Sequence, residues 1–390
     1  MRALPVTSDI VIVGAGPAGL ALGCVLAREG VPFLILDRLA EGRNTSRAAV
    51  VHARTLEVLE ELEVSRRLCS LGLVVPRFTV RDRDHVLLAV GFDRLPSRYP
   101  YALMVPQNIT EAVLLGRLRE LGGDVCRPCE VADLRRNQDG AALSVLVASG
   151  ASPRTVQARY VIGADGMHSL VRERTGIGFR GDTYEEAFVL ADARMSWPLG
   201  ADEVTLFFSP EGLVVVAPLP GDRHRVVAAV DDAPEEPDLN DVQQLLDRRG
   251  PRAGAARVRE IVWSSRFRVH HRVASRFRAN RILLVGDAAH VHSPAGGQGM
   301  NIGIQDSVAL GHTLAAVVRG RAPESRLDDY ERRRRPVAQR VVNFTHRMTR
   351  AATLRGHRAR SVRNAAIALV GRIPAVQRRL AVELAELSPR

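Results

Sequence analysis

"DIVIVGAGPAGLALGCVLAREGVPFLILDR", residues 9 to 38, decides how this chain reads. Ile10 to Val13 is a short apolar run, as a buried strand requires. Gly14-Ala-Gly-Pro-Ala-Gly19 comes next as a turn, Leu20 to Glu29 as a helix closed by Gly30, and Val31 to Leu36 as a second strand ended by Asp37. Such a βαβ unit is one half of a doubly wound sheet that binds dinucleotides. The glycine spacing alone is weak; the strand before it, the helix after it and the terminal acid make it specific. Gly14 permits the tight turn, Gly16 lets a pyrophosphate reach the backbone, and Gly19 lets the helix pack on the strand. Pro17 and Ala18 belong to the same phosphate-facing turn, at the positive end of the helix. Asp37 is placed for ribose hydroxyls, and Arg38 beside it for the adenine.

Two more glycine stretches come after strand-like runs. In "VIGADGMHSLVR", 161 to 172, a strand stops at Asp165-Gly166 and a helix begins. An ordinary turn with Asp as a helix cap is the plain alternative there. In "GDAAHVHSPAGGQGMNIGIQDS", 286 to 307, Asp287 ends the strand Arg281 to Val285 and can reach a chain of hydroxyls. Pro294 stiffens the loop. Gly296, Gly297, Gly299 and Gly303 weaken a helix start unless something lies close to the backbone. Backbone N–H groups left uncovered at a helix N-terminus favour a flat ring that becomes anionic on reduction, as a flavin does.

Composition narrows the class. The 390 residues suit two domains, or one with an insertion. A hydrophobic fraction of 46% suffices for a sizeable core. Cys126-Arg-Pro-Cys129 is a lone CxxC, read as ordinary reduced thiols rather than zinc or redox chemistry. The net charge of +12 comes entirely from arginine, since the chain contains no lysine. Aromatics are only 4%, too few for the stacking series of a single-strand binder, so the charge reads as high-GC codon usage and no nucleic-acid partner is expected. The apolar run Ile10 to Ala27 contains Gly14, Gly16, Pro17 and Gly19, so it reads as strand, turn and helix rather than a membrane span. With no secretory signal visible, a cytoplasmic location is expected. The arginine-rich stretch Arg363 to Leu380 is amphipathic; packing on the body of the protein is expected over membrane-surface contact.

Further along, Ser46 to Val64 reads as a loop entering an amphipathic helix, and Val105 to Gly123 as a helix starting after Gln107. A β-meander then runs to Tyr160–Ile162, with turns at Gln138-Asp-Gly140 and Gly150-Ala-Ser-Pro153. Ala187 to Val269 is strand-rich, with turns at Pro210-Glu-Gly212 and Pro220-Gly-Asp222 and a helix from Leu239 to Arg248. The expected fold is α/β: a Rossmann-like FAD-binding domain with an inserted antiparallel β-sheet substrate domain and a helical C-terminal tail. Residues 1–75, 101–184 and 270–335 are assigned to the first, 76–100 and 185–269 to the second, and 336–390 to the tail.

"GAGPAGL", "GADGMHSLVR" and "GDAAHVHSPAGGQGMNIGIQDS", in this order, resemble the motifs of the class A flavoprotein monooxygenases of the para-hydroxybenzoate hydroxylase fold. "SRAAVVHARTLEVLEEL" and "YERRRRPVA" are most similar to the branch that hydroxylates phenols and aromatic polyketides. The resemblance covers Asp9 to about Ala338. It implies FAD as cofactor, NADPH or NADH as a transient reductant, O2 as co-substrate and an aromatic small molecule as substrate, with oxygen transfer from a flavin C4a-hydroperoxide. It further implies that Gly14, Gly16, Gly19 and Asp37 hold the ADP half of FAD. Arg47 and Gln107 would contact its middle portion and Val131 would offer backbone to the adenine. Asp165 and Gly166 would serve FAD and the nicotinamide, and Asp287 the ribityl or pyrophosphate region. Pro294, Gly297, Gly299, Met300 and Asn301 would line the isoalloxazine.

Larger members of that branch carry a C-terminal thioredoxin-like domain; the residues after Pro336 are too few for one, which leaves monomer and homodimer both open. No second GxGxxG unit appears, in keeping with a reductant that visits without its own domain. Halogenases of this fold carry a tryptophan-rich motif and a key lysine; here Trp197 and Trp263 stand far apart and lysine is absent. Baeyer–Villiger oxygen insertion and isoprenoid- or quinone-pathway chemistry stay open, as does a basic binding protein with a vestigial flavin site. No catalytic residue is assigned. A base or cation for a phenol oxygen has candidates in His224, His270, His271, Arg194, Arg225, Arg266 and Arg268, and His290 and His292 lie inside the glycine loop.

Overall fold

The computed structural model describes residues 4–42, 48–136, 143–148, 153–209, 211–252, 254–354 and 356–387. The opening unit forms as read: strand Thr7–Val13, helix Pro17–Arg28 and strand Phe33–Leu36. The helix starts three residues earlier than the hydrophobic pattern suggests because Pro17 takes its first position, where its missing N–H costs nothing. The turns at 138–140 and 150–152, Pro210 and Arg47 lie outside the described residues.

Among the described residues the first sheet has eight strands. Its parallel core runs Ile282–Leu284, Arg154–Gly163, Thr7–Val13, Phe33–Leu36 and Val125–Cys126. The meander strands Glu130–Arg136 and Leu143–Ala148 extend it antiparallel. The three glycine stretches therefore leave three adjacent strands at the same, carboxyl, edge. In an open α/β sheet that edge is where ligands bind.

The second sheet also has eight strands. It includes Phe179–Ser196 and Arg257–Ala274, each 18 residues long. Both run past the expected domain boundaries at 184/185 and 269/270. The sheet is not wholly antiparallel as expected, because Glu203–Ser209 pairs in parallel with Arg77–Asp82. Residues 77–91 return to the sheet from far upstream, so strand direction there is set by the crossover and not by a hairpin. One face packs under helix Leu239–Arg249, around Phe207, Val214 and Val226. The other meets a small sheet of Val50–Val51, Ala102–Met104 and Leu73–Val75.

Helix Gly299–Val318 lies along helix Pro17–Arg28. A Cβ on Gly311 would stand 2.7 Å from Val25, and one on Gly303 would stand 3.1 Å from the Cα of Gly286. Gly303 thus answers to internal packing and not to a ligand. Below it sits a buried charged cluster. His290 Nε2 lies 2.6 Å from one oxygen of Asp306, and Arg334 Nε donates to the other. All three residues are essentially inaccessible. Burial alone would raise the Asp306 carboxyl, but Arg334 and His290 outweigh it and hold it below the usual range. Breaking such a buried cluster costs about 3–5 kcal/mol, which fixes the glycine loop to both long C-terminal helices.

The C-terminal chain forms helices Leu327–Ala352, His357–Val370 and Pro374–Leu384. The amphipathic stretch Arg363 to Leu380 is broken at Gly371, whose position leaves only 2.8 Å to the Leu87 carbonyl for a side chain. No helix among the described residues is long and apolar enough to cross a membrane.

Candidate active site

The three glycine stretches meet. Gly14 has φ +102°, and a Cβ on it would fall 2.3 Å from the Ala164 carbonyl oxygen. Gly19 packs back on the Gly14 carbonyl. Arg172, from the second stretch, donates to the carbonyls of Met167 and of Ala288 in the third. Gly286 and Gly303 close on Ala18 of the first.

Two glycines of these stretches differ from the rest. A Cβ on Gly16 or on Gly166 would meet nothing within 4 Å. Both face open space at the strand ends, while their neighbours are tightly packed. Gly16 is also the N-cap of its helix, with no side chain capping it, so N–H groups at a helix N-terminus await an acceptor. Asp37 stands beside this turn; its two oxygens accept N–H groups from Ala15 at 2.8 Å and Leu39 at 2.9 Å. Asp165 divides its roles: Oδ2 caps the next helix through Val171 N–H at 3.1 Å, and Oδ1 is buried without a partner. Burial raises its carboxyl above the usual range. Ser169 is the N-cap proper. A cradle open at Gly16 and Gly166 with an unpartnered acceptor between its walls fits a dinucleotide with hydroxyls to donate.

The third stretch is a loop held from behind. Asp287 sits exposed in a single 3-10 turn between buried neighbours. Gly297 has φ +64°, and any Cβ there would collide with Val50 at 2.2 Å. Asn301 spends its side chain on the loop: Oδ1 accepts His52 N–H at 2.8 Å, and Nδ2 donates to the carbonyls of Val50 and Gly297. Its backbone and that of Met300 remain in the first turn of helix Gly299–Val318. His52 Nε2 donates to the Gly296 carbonyl at 2.7 Å. Burial pushes the His52 imidazole down to about 4. His292 is likewise pushed down to about 4 by burial; Nδ1 faces the Ser293 carbonyl at 2.9 Å, and Nε2 has no partner.

His52 escaped the sequence reading because a lone histidine before a helix carries no motif. The last helix was expected as part of the helical tail, but its contact with the glycine loop was not. Gln298 Nε2 donates to the Glu383 carbonyl at 3.1 Å, Gln305 reaches Glu386, and Leu384 lies 3.5 Å from the Cβ position of Gly296.

The remaining expected residues are spread along the cradle. Gln107 starts its helix and bonds Ala48 N–H and Glu111. Val131 is buried in strand Glu130–Arg136, and Arg38 is exposed. Pro294 accepts the Gly297 N–H. Of the candidates for a base or cation, Arg225 is buried and paired bidentate with Asp192 at 2.7 and 2.8 Å. It is registered beside Ala217, which packs with Val50, Met104 and Leu384. His224 points to the opposite face, against Trp197. His270 bonds Thr183, His271 packs on His346, and Arg194 and Arg266 pair with Glu260 and Glu235. Arg268 is exposed. His290 is committed to Asp306.

Residues 7–345 match the family described as FAD binding domain. The chain belongs to this family of FAD-dependent monooxygenases. It is 39% identical over 358 residues to a flavin-dependent monooxygenase of Mycobacteroides abscessus, covering 86% of this chain and 73% of that one. It is 38% identical over 360 residues to the 12-dehydrotetracycline 5-monooxygenase/anhydrotetracycline 6-monooxygenase of Streptomyces rimosus, covering 86% and 68%. The solved structure of the anhydrotetracycline hydroxylase OxyS from Streptomyces rimosus superposes with a TM-score of 0.83 at 35% identity, over 98% of this chain and 77% of that one. The expected α/β class A hydroxylase fold is therefore the fold of this chain.

The glycines separate by role in a stability measurement. Gly14→Ala forces a Cβ into a carbonyl at a left-handed backbone position, and thermal unfolding of the FAD-free protein should show a loss of about 2 kcal/mol or more. Gly16→Ala should leave that unfolding within about 0.5 kcal/mol of wild type and weaken FAD retention instead.

The loop should also be sensitive to acid. His52 and His292 hold folded values near 4 against 6.5, so the unfolded chain binds more protons between those values. Their contribution is full above about 6.5 and is lost as pH falls toward 4. Protection of the amides at 294–301, taken relative to the intrinsic exchange rate at each pH, should fall through that range, and less so in His52→Gln.

Proposed function

We propose that this FAD-dependent monooxygenase hydroxylates a phenolic or polycyclic aromatic small molecule, with NADPH or NADH as reductant and O2 as oxygen donor. The observation that carries the reading is the convergence of three glycine stretches on a cradle left open at Gly16 and Gly166. In this reading Gly14 to Gly19 and Asp37 hold the ADP half of FAD. Asp165, Gly166 and Asp287 serve its middle, and the Pro294–Asn301 loop backs the isoalloxazine. Bound FAD supplies the electron-transfer and oxygen-transfer chemistry. The protein binds, orients and excludes water.

The FAD-binding body takes residues 1–75, 101–178 and 275–335, and the substrate body 76–100 with 179–274, since the long strands Phe179–Ser196 and Arg257–Ala274 belong wholly to the second sheet. Leu206, Val215 and Val227 support an apolar substrate wall. They are registered side by side across three strands and are all only half-buried, where most of that face is closed. A flat apolar wall suits an aromatic ring system. Arg225, paired bidentate with Asp192, lies two positions from Val227 on the same strand. The tetracycline-pathway relatives favour a polycyclic substrate over a single ring.

The test is NADPH and NADH oxidation by the FAD-loaded protein with a panel of phenols, naphthoquinones and polycyclic aromatics, with product mass read in parallel. Oxidation stimulated by an aromatic, with one oxygen atom gained on the ring, is the expected result. An oxygen inserted between ring carbons would mean Baeyer–Villiger chemistry. Tight FAD binding with no aromatic-stimulated turnover would count against the hydroxylase reading.

A further inference from the structure

We propose that Arg127 is a cofactor-binding residue whose guanidinium takes the adenosine-side phosphate of FAD. This rests on the Gly14–Gly19 turn being a dinucleotide site. Arg127 lies within the Cys126–Cys129 stretch, for which the sequence offered no function. Strand Val125–Cys126 pairs in parallel with Phe33–Leu36, so the residues after it emerge beside Asp37 at the carboxyl edge of the sheet. Asp37 N–H donates to the Cys126 carbonyl at 3.1 Å, and Cys129 N–H to the Asp37 carbonyl at 2.7 Å. The segment is thereby pinned to the acid.

From there the Arg127 side chain folds back over the glycine turn. Nη2 reaches the Ala15 carbonyl at 3.4 Å, and Nη1 lies 3.7 Å from where a Cβ on Gly42 would stand. The side chain is 14% exposed. Its nearest charge partner is Asp37 at 4.0 Å, and that carboxylate already accepts two backbone N–H groups. Nε is buried with no partner. A nearly buried cation with one long contact to a carbonyl and one distant carboxylate is poorly compensated. A structural role would show short bonds; a role in holding an anion accounts for both the burial and the orphan N–H.

The geometry names the anion. The uncapped helix N-terminus at Gly16 and the Arg127 guanidinium flank the same open space. Asp37 marks the ribose end of that space. A phosphate next to the ribose would receive backbone N–H groups on one side and the planar donor fork on the other. Arg38 next door is exposed to solvent, which leaves Arg127 as the inward-facing cation beside Asp37 among the described residues.

Fluorescence titration of the FAD-free protein with FAD, FMN and ADP tests this in wild type, Arg127→Ala and Arg127→Lys. FAD and ADP should bind roughly 10- to 100-fold more weakly in Arg127→Ala, with partial recovery in Arg127→Lys. FMN, which lacks the adenosine-side phosphate, should bind within about twofold of wild type. Thermal unfolding of the FAD-free variants checks that they are folded, and Arg127→Gln keeps the shape if alanine does not fold. Equal losses for FAD and FMN, or unchanged FAD affinity in Arg127→Ala, would overturn the assignment. A wild-type protein that binds no FAD would instead overturn the dinucleotide reading beneath it.

Discussion

A single close approach organises the molecule: the Gly14 backbone against the Ala164 carbonyl, where a methyl group would stand 2.3 Å from the oxygen. It brings the ends of two adjacent parallel strands, Thr7–Val13 and Arg154–Gly163, into direct contact. The third strand, Ile282–Leu284, joins them through Gly286 and Gly303, which close on Ala18. Without these contacts the three turns would be separate βα corners. With them they are one surface, and the two glycines that pack against nothing, Gly16 and Gly166, define its opening.

The loop after Asp287 is rigid for reasons unrelated to its glycines' freedom. Asn301 uses its whole side-chain amide to hold it, His52 grips it from the neighbouring small sheet, and the last helix seals its back through Gln298 and Leu384. Asp306, His290 and Arg334 anchor the helix below. These ties are buried or part-buried, so each loses more free energy when broken than an exposed one would. A ring lying on this loop meets a surface already fixed in place, which is what orienting a reactive cofactor requires.

Much of this was legible in the sequence. Local patterns identified the βαβ unit, the acid at its end and the two later glycine stretches, because each is a short element bounded by its own signals. The sequence read less well wherever the cause was distant. Gly303 looked like a ligand-facing residue but serves helix packing, a distinction that depends on what stands opposite. The parallel pairing of Glu203–Ser209 with Arg77–Asp82 spans more than a hundred residues and leaves no local trace. The C-terminal helix makes its key contacts through the Glu383 carbonyl and small residues, which no amphipathic pattern records. Arg127 carries no local signal of its role, since it reaches the Gly14–Gly19 turn only through the pairing of Val125–Cys126 with Phe33–Leu36.

The central claim is that three distant stretches form one FAD cradle. Hydrogen exchange of the FAD-free and FAD-loaded protein measures it directly. Binding one equivalent of FAD should slow exchange together at residues 14–19, 165–172 and 296–302. Protection confined to 14–19, with the third stretch exchanging as before, would contradict it and leave the glycine loop without a ring to support.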